Sequence, residues 1–283
     1  MAPPVPLANG LKPPPAAALA CVPGLEGGAA PRCVVPLPDG TVNDVYRVDT
    51  ADGRFVLRVD GAAWRRPGVD REREALLHAA AADAGLAPRI LRRCPPLGVL
   101  VTEYLPGTMW SPQDFTREPQ LARLGERLAR LHALAIPPVA PFDPLGLADA
   151  YLLAARRRRP APEGAAVAQA EAARARLAGA VERVAAAGRP AALVHGDLIH
   201  TNLLHGERLW LLDFEYAQRA DPLYDAGCVL AYYPAARGAI GALLAAAFPG
   251  RQVAAVELEA AAAVHRALGG LWHLARGEPA EPP

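Results

Sequence analysis

Lysine is almost missing from this chain: one, Lys12, stands against twenty-nine arginines in 283 residues. A Walker A loop needs a lysine for its phosphates, so that motif is excluded, and any phosphate-binding cation inside the fold has to be an arginine. The bias, together with abundant Ala, Gly and Pro, reads as the usage of a GC-rich genome. Cysteine is also sparse. Cys21, Cys33, Cys94 and Cys228 form no C-x-x-C pair, so neither a zinc site nor a disulfide framework is implied, and free thiols in a reducing cytoplasm are expected. An excess of one charge is lacking too. The formal net charge is +1, which leaves no electrostatic footprint for nucleic acid. No run of about eighteen apolar residues escapes charge or proline, so no membrane span is expected. Ala18-Leu19-Ala20-Cys21 is reminiscent of a lipoprotein cleavage site, but Pro13, Pro14 and Pro15 interrupt the apolar segment that a signal peptide would need.

The length suits two modest domains or one large one, and the apolar fraction is enough for a core. Residues 1–24 form a Pro-rich start, expected to be poorly ordered apart from a short helix over Ala16 to Val22. Strands are expected over 33–37, 42–48 and 55–59, joined by turns at Pro38-Asp39-Gly40 and Asp52-Gly53. Such a meander is not a βαβ unit, so a dinucleotide-binding fold is excluded. A helix over about 68–84, stopped by Gly85 and Pro88, leads to further strands at 90–91 and 99–105. From Ser111 onward the pattern is helical. Leu121, Leu124, Leu128, Leu131 and Leu134 mark an amphipathic helix, and residues 163–187 an Ala-rich one. Arg156 to Arg159 reads as a solvated helix end. A strand at 192–194, a hairpin around Gly206-Glu207 and three helices over 221–276 complete the chain. The expectation is therefore an α+β, bilobal molecule. Residues 25–107 form a β-rich lobe and residues 108–283 a mainly helical lobe.

The informative stretch is His195-Gly196-Asp197, then Asn202, then Asp213-Phe214-Glu215. An Asp followed five positions later by Asn, and eleven after that by a second Asp, each beside an apolar run, is the H-x-D-x-x-x-x-N … D-F pattern of phosphoryl transfer. Asp197 would orient or deprotonate an attacking hydroxyl. Asn202 and Asp213 offer the hard oxygens that Mg²⁺ prefers. His195, His200 and His205 recur at five-residue intervals and raise a zinc hydrolase as an alternative. That spacing fits neither a helix face nor a strand face, so His195 is read as orienting the loop.

These residues resemble the aminoglycoside phosphotransferase and choline kinase superfamily, which is similar to the protein kinases. Asp213-Phe214-Glu215-Tyr216-Ala217 is closest to the choline, ethanolamine and thiamine kinase branches. The resemblance implies ATP and Mg²⁺ as cofactors, in a cleft between the lobes. It implies a phosphate-covering turn at Gly40 and Asn43, although the usual Gly-Gly pair is absent. It implies Arg58 on the phosphates, and Glu74, or else Glu72, paired with Arg58. Glu103, Tyr104 and Leu105 would be the adenine-binding hinge, and Asp225 a support for the catalytic loop.

The acceptor is less legible. Glu215, Tyr216 and Trp272 are the expected substrate residues, with Tyr224, Tyr232 and Tyr233 nearby. A carboxylate among aromatic faces suits a cationic alcohol such as choline, ethanolamine or thiamine. From Phe214 to the end, seven acids face five arginines, a balance too weak for a polycationic aminoglycoside. An aminoglycoside or sugar-like alcohol kinase, and a non-catalytic kinase-like binding module, are the alternatives. A protein substrate is not expected, because no D-F-G or A-P-E segment exists. The sequence leaves open the identity of the alcohol, ATP against GTP, and the oligomeric state.

Overall fold

The computed structural model describes residues 13–37, 43–61, 66–158 and 164–277. The turn carrying Gly40, the end of the arginine run and the terminal segments lie outside these residues. The chain divides into two compact units, residues 1–66 with 87–107 and residues 67–86 with 108–283.

The first unit rests on period-two alternation. A short helix α1 (Ala16–Leu19) precedes β1 (Cys33–Pro36), β2 (Asp44–Asp49), β3 (Arg54–Val59), β4 (Ile90–Cys94) and β5 (Val99–Glu103). The strands pair antiparallel in the order β1-β2-β3-β5-β4. Register sets Tyr46 opposite Leu57 and Val48 opposite Phe55, and Leu57 opposite Val101. Because successive side chains point to opposite faces, these residues form one apolar face. Ala18, Val22 and Leu25 join the same core. β4 runs three residues further than the expected Ile90-Leu91, and a single 3-10 turn absorbs Pro95-Pro96.

The second unit begins with α2 (Arg71–Asp83). Asp70 caps it by accepting from the N–H groups of Glu72 and Arg73, and Gly85 follows at φ 68°. A two-residue strand β6 (Thr108–Met109) leads to a capped turn, where the Asp114 carboxylate accepts from the Ser111 N–H and hydroxyl. In α3 (Glu118–His132) the leucines at 121, 124, 128 and 131 are fully buried, as the spacing predicts, whereas Leu134 lies past the helix end and is half-buried. α4 (Pro144–Arg157) is the helix that the arginine run ends. It has its own start signal, with Asp143 capping the Gly146 N–H and Pro144 at the first position. α5 (Gly164–Ala185) and β7 (Ala192–Val194) follow, then the hairpin β8 (Leu203–His205) and β9 (Leu209–Leu211), and the short strand β10 (Gln218–Ala220). β10 pairs with β7, and β6 with β8. The C-terminal part is α6 (Leu223–Tyr232), α7 (Ile240–Ala247) and α8 (Ala255–Arg276), the three helices expected. All of α6 up to Ala231 is buried. It lies so close to α8 that a Cβ on Gly227 would come within 2.6 Å of Ala261. Among the described residues no helix is long and apolar enough to cross a membrane.

Burial here has a cost in acid. On α8 the His265 Nε2 is enclosed without a hydrogen-bond partner, and burial pushes this imidazole from 6.5 down to about 4. Burial lowers His195 in the same direction. As pH falls below about 6.5 the unfolded chain takes up these protons and the folded chain does not, which removes up to about 3 kcal/mol through His265 by the time pH 4 is reached. The urea midpoint is therefore expected to fall between pH 7 and pH 5, and His265→Leu to flatten that dependence. An unchanged slope in the variant would refute the assignment.

Candidate active site

The eleven-residue gap between Asn202 and Asp213 is that of a tight hairpin. Leu203 pairs with Leu211, Leu204 with Trp210 and His205 with Leu209. One step outward, the Leu212 N–H donates to the Asn202 carbonyl at 2.9 Å. The register thus sets Asn202 opposite Leu212 and brings Asp213 diagonally beside it. Asp213 has φ 57°, the one non-glycine in the left-handed region among the described residues. Aspartate is one of the few residues that visit that region, and held backbones of this kind concentrate at functional sites.

Asp197 is fixed by its neighbours. The Asn202 amide nitrogen donates to the Asp197 carbonyl and to its Oδ2, both at 2.9 Å, so the amide oxygen of Asn202 points elsewhere. The Asp197 N–H donates to His195 Nδ1 at 3.3 Å, and His195 Nε2 donates to the Leu212 carbonyl at 2.9 Å. Burial keeps this wholly enclosed imidazole neutral. His195 therefore ties the approach to Asp197 to the approach to Asp213. Gly196 has φ 77°, and a Cβ there would lie 2.6 Å from the Tyr216 carbonyl oxygen, so only glycine fits. Phe214 is buried between the His78 ring, stacked at 5.1 Å, and the His195 ring at 4.8 Å.

One face of α6, continued by Tyr233, holds the loop. Asp225, fully buried, accepts the N–H groups of His195 at 3.0 Å and Gly196 at 2.9 Å. Cys228, three residues on, receives the Leu198 N–H on its sulfur at 3.2 Å. The Tyr233 hydroxyl meets the His200 N–H and Nδ1, each at 2.8 Å. The histidines thus serve hydrogen bonds, and His205 is exposed on the hairpin. No cluster of three or more His, Cys, Asp or Glu side chains suited to a metal occurs among the described residues. The remaining donor set, an amide oxygen and a carboxylate, fits a hard cation that keeps its waters and takes phosphate oxygens, as Mg²⁺ does.

Tyrosines cluster near this loop. Tyr232 is pushed well above its ordinary value by burial and by the charge of Asp197, with Cys228, Tyr216 and Tyr151 also close. The Tyr151 hydroxyl and the Tyr216 ring both approach Gly68, and the Trp272 N–H donates to the Tyr216 hydroxyl at 3.0 Å. Arg276 lies 4.5 Å over the Trp272 ring. Tyr151 is not among the expected substrate residues, although the Asp143-Pro144 start and the 148, 151, 152, 155 burial period mark its helix. Tyr224 packs edge-on against Phe142 and His265, and Tyr233 stacks on Phe115. A cleft of about 510 Å³ opens beside Gly68, with Arg73, Phe142, Leu147 and Gln218 in its walls.

Glu215 is buried and pairs with Arg71 at 3.1 Å, and Arg71 also holds Glu74 at 2.8 Å. Glu72 is exposed. In the first unit, Arg58 Nε is 3.7 Å from Asp60, and Asn43 is buried at the start of β2. Glu103 accepts from the Arg89 N–H and side chain, the Tyr104 N–H donates to the Arg54 carbonyl, and Leu105 follows at the end of β5.

Known proteins share this fold. The model of the phosphotransferase enzyme family matches residues 34–271. A choline/ethanolamine kinase family protein from Mesorhizobium loti is 30% identical, with 91% of this chain and 83% of that chain covered and a TM-score of 0.72. Choline kinase LicA from Streptococcus pneumoniae is 17% identical over 89% of this chain and 88% of its own, with a TM-score of 0.73, and LicA is also known in complex with AMP. A spectinomycin phosphotransferase in complex with ADP and spectinomycin is 13% identical over 88% and 83%, with a TM-score of 0.60. No curated protein gives a significant match. The fold is therefore the kinase-like α+β fold of these structures, and the chain belongs to the phosphotransferase enzyme family, whose members transfer phosphoryl groups to small molecules.

Proposed function

We propose that this enzyme transfers the γ-phosphoryl group of ATP, with Mg²⁺, to the hydroxyl of a small cationic alcohol such as choline, ethanolamine or thiamine. The observation that carries the reading is the pair of hydrogen bonds from Asn202 to Asp197, with Asp213 brought beside Asn202 by the hairpin. Asp197, its carboxylate oriented by Asn202, would accept the proton of the attacking hydroxyl. Asn202, through its amide oxygen, and Asp213 would hold the cation. When bound, Mg²⁺ neutralises charge on the phosphates. His195 and Asp225 hold the loop still, so that alignment is not lost to backbone motion. On the nucleotide side, Arg58 would meet phosphate oxygens with Gly40 and Asn43 in the covering turn, and Glu103 to Leu105 would meet the base. Four free thiols suit a reducing cytoplasm, where ATP is supplied.

The tyrosines clustered near the loop support the acceptor class. Glu215 is already ion-paired with Arg71, which weakens it as the anchor for a cation. Tyr151, Tyr216 and Tyr232 supply neutral aromatic faces instead. Such faces attract a single compact ammonium, and they offer little to a polycation, which needs several carboxylates. The relation to a choline/ethanolamine kinase family protein supports the same class.

Coupled ADP release across choline, ethanolamine, thiamine, homoserine and kanamycin is expected to show Mg²⁺-dependent turnover with one of the first three. Silence across the panel, while ATP and Mg²⁺ still raise the melting temperature, would favour a non-catalytic binding module. Asp197→Asn is expected to lower kcat by about 10³-fold with the nucleotide-induced thermal shift retained.

The aromatic wall has its own test. Tyr151→Ala is expected to raise KM for the alcohol about tenfold, with KM for ATP unchanged and Tyr151→Phe near wild type. Equal effects of Ala and Phe would point to the hydroxyl, not the ring face.

A further inference from the structure

Two of the four thiols sit side by side. Cys21 Sγ lies 2.6 Å from Cys94 Sγ, across 73 positions of sequence, and both residues belong to the first unit. An S–S bond is about 2.05 Å long, so closing one here asks for a movement of roughly 0.5 Å. Cys21 ends the turn that follows α1, with its N–H donating to the Ala18 carbonyl. Cys94 is the last residue of β4, opposite Val99, and β4 is an edge of the five-stranded sheet.

The segment around Cys21 has few polar ties to that sheet. It precedes β1, and its backbone hydrogen bonds are local, from Ala18 to Pro15 at one end and from Gly28 to Leu25 at the other. Burial of Ala18, Val22 and Leu25 holds it in the apolar core. Its ion pair with β4, Glu26 to Arg92 at 3.0 Å, is exposed and contributes little. The two thiols themselves differ. Cys21 is buried, and burial with Cys94 beside it pushes its thiol up to about 11. Cys94 is half-buried, which makes it the more accessible sulfur.

We propose that Cys21 and Cys94 are a redox-responsive pair that closes into an intramolecular disulfide and fastens the segment around α1 to the edge strand β4. The oxidant is a small disulfide of the glutathione class. The Cys94 thiolate attacks one sulfur of that disulfide, forms a mixed disulfide and expels one small thiolate. Cys21 then loses its proton, and its sulfur attacks Cys94 Sγ and expels the second small thiolate. The two expelled thiolates take up the two protons that the cysteines release. Two protein thiols are oxidised to one disulfide, and one small disulfide is reduced to two thiols. An excess of small thiol reverses both steps, so in a reducing compartment the bridge is transient. The pair lies within the first unit and does not depend on the role given to Asp197.

The test equilibrates the full chain with reduced and oxidised glutathione, quenches in acid, alkylates under denaturing conditions and maps the peptides by mass spectrometry. The oxidised wild type is expected to lose two of its four thiols and to yield a peptide linking Cys21 to Cys94, with Cys33 and Cys228 alkylated. Amide hydrogen exchange over residues 18–28 is expected to slow about tenfold on oxidation and to recover with dithiothreitol. Cys33→Ser is expected to keep both responses, and Cys94→Ser to abolish both. The proposal is overturned if oxidised glutathione in excess gives no Cys21–Cys94 peptide, or if the reaction stops at a mixed disulfide on Cys94. It is equally overturned if the bridge forms and exchange over residues 18–28 stays within about twofold.

Discussion

A buried carboxylate receiving two consecutive backbone N–H groups is the contact on which the rest of this site depends. Asp225 sits at zero exposure and accepts from His195 and Gly196. Leaving those amides unpaired in a dry interior would cost about 1–3 kcal/mol each, so the loop has a strong reason to adopt this one path. Cys228 and Tyr233 extend the same logic to Leu198 and His200. The catalytic loop has little regular structure of its own. It borrows order from a helix whose side chains act as a mould.

That dependence explains why α6 is so thoroughly buried and so closely packed. Gly227 admits α8 to contact distance on one side while Asp225 and Cys228 serve the loop on another. A helix that must hold a loop to hydrogen-bond tolerance has to be immobilised itself. Apolar packing supplies the immobility and polar side chains supply the aim. Gly196 completes the arrangement, because a side chain there would push the loop off the Tyr216 carbonyl.

The spacing of Asp197, Asn202 and Asp213 was legible in the sequence because it is a local property. A five-residue loop and a tight hairpin leave little freedom in where these three residues can go. The leucine stripe of α3 and the meander of the first unit were legible for the same reason, since period and turn chemistry are local. What could not be read was which distant side chains meet. Arg71-Glu72-Arg73-Glu74 offers two glutamates, and helical spacing alone pairs Arg71 with Glu74 at i, i+3. That Arg71 also reaches Glu215, 144 positions away, needs the fold. His132 Nε2 lies 2.8 Å from Asp225, 93 positions away, and this pairing left no periodic trace beyond a histidine at the end of an apolar stripe. Tyr151 is a different case. Its helix carried a readable cap at Asp143, and weak amphipathicity let the signal pass.

The β8–β9 hairpin has an implication for how this protein can vary. Surface turns are where chains usually gain and lose residues freely. The turn at Gly206, Glu207 and Arg208 faces solvent, yet its length sets the register that brings Asn202 against Leu212. A single inserted residue would slip the pairing by one and turn the side chains of the shifted strand to the opposite face. The most accessible corner of the motif is thus among the least free to change length, even though the Glu207 side chain faces solvent.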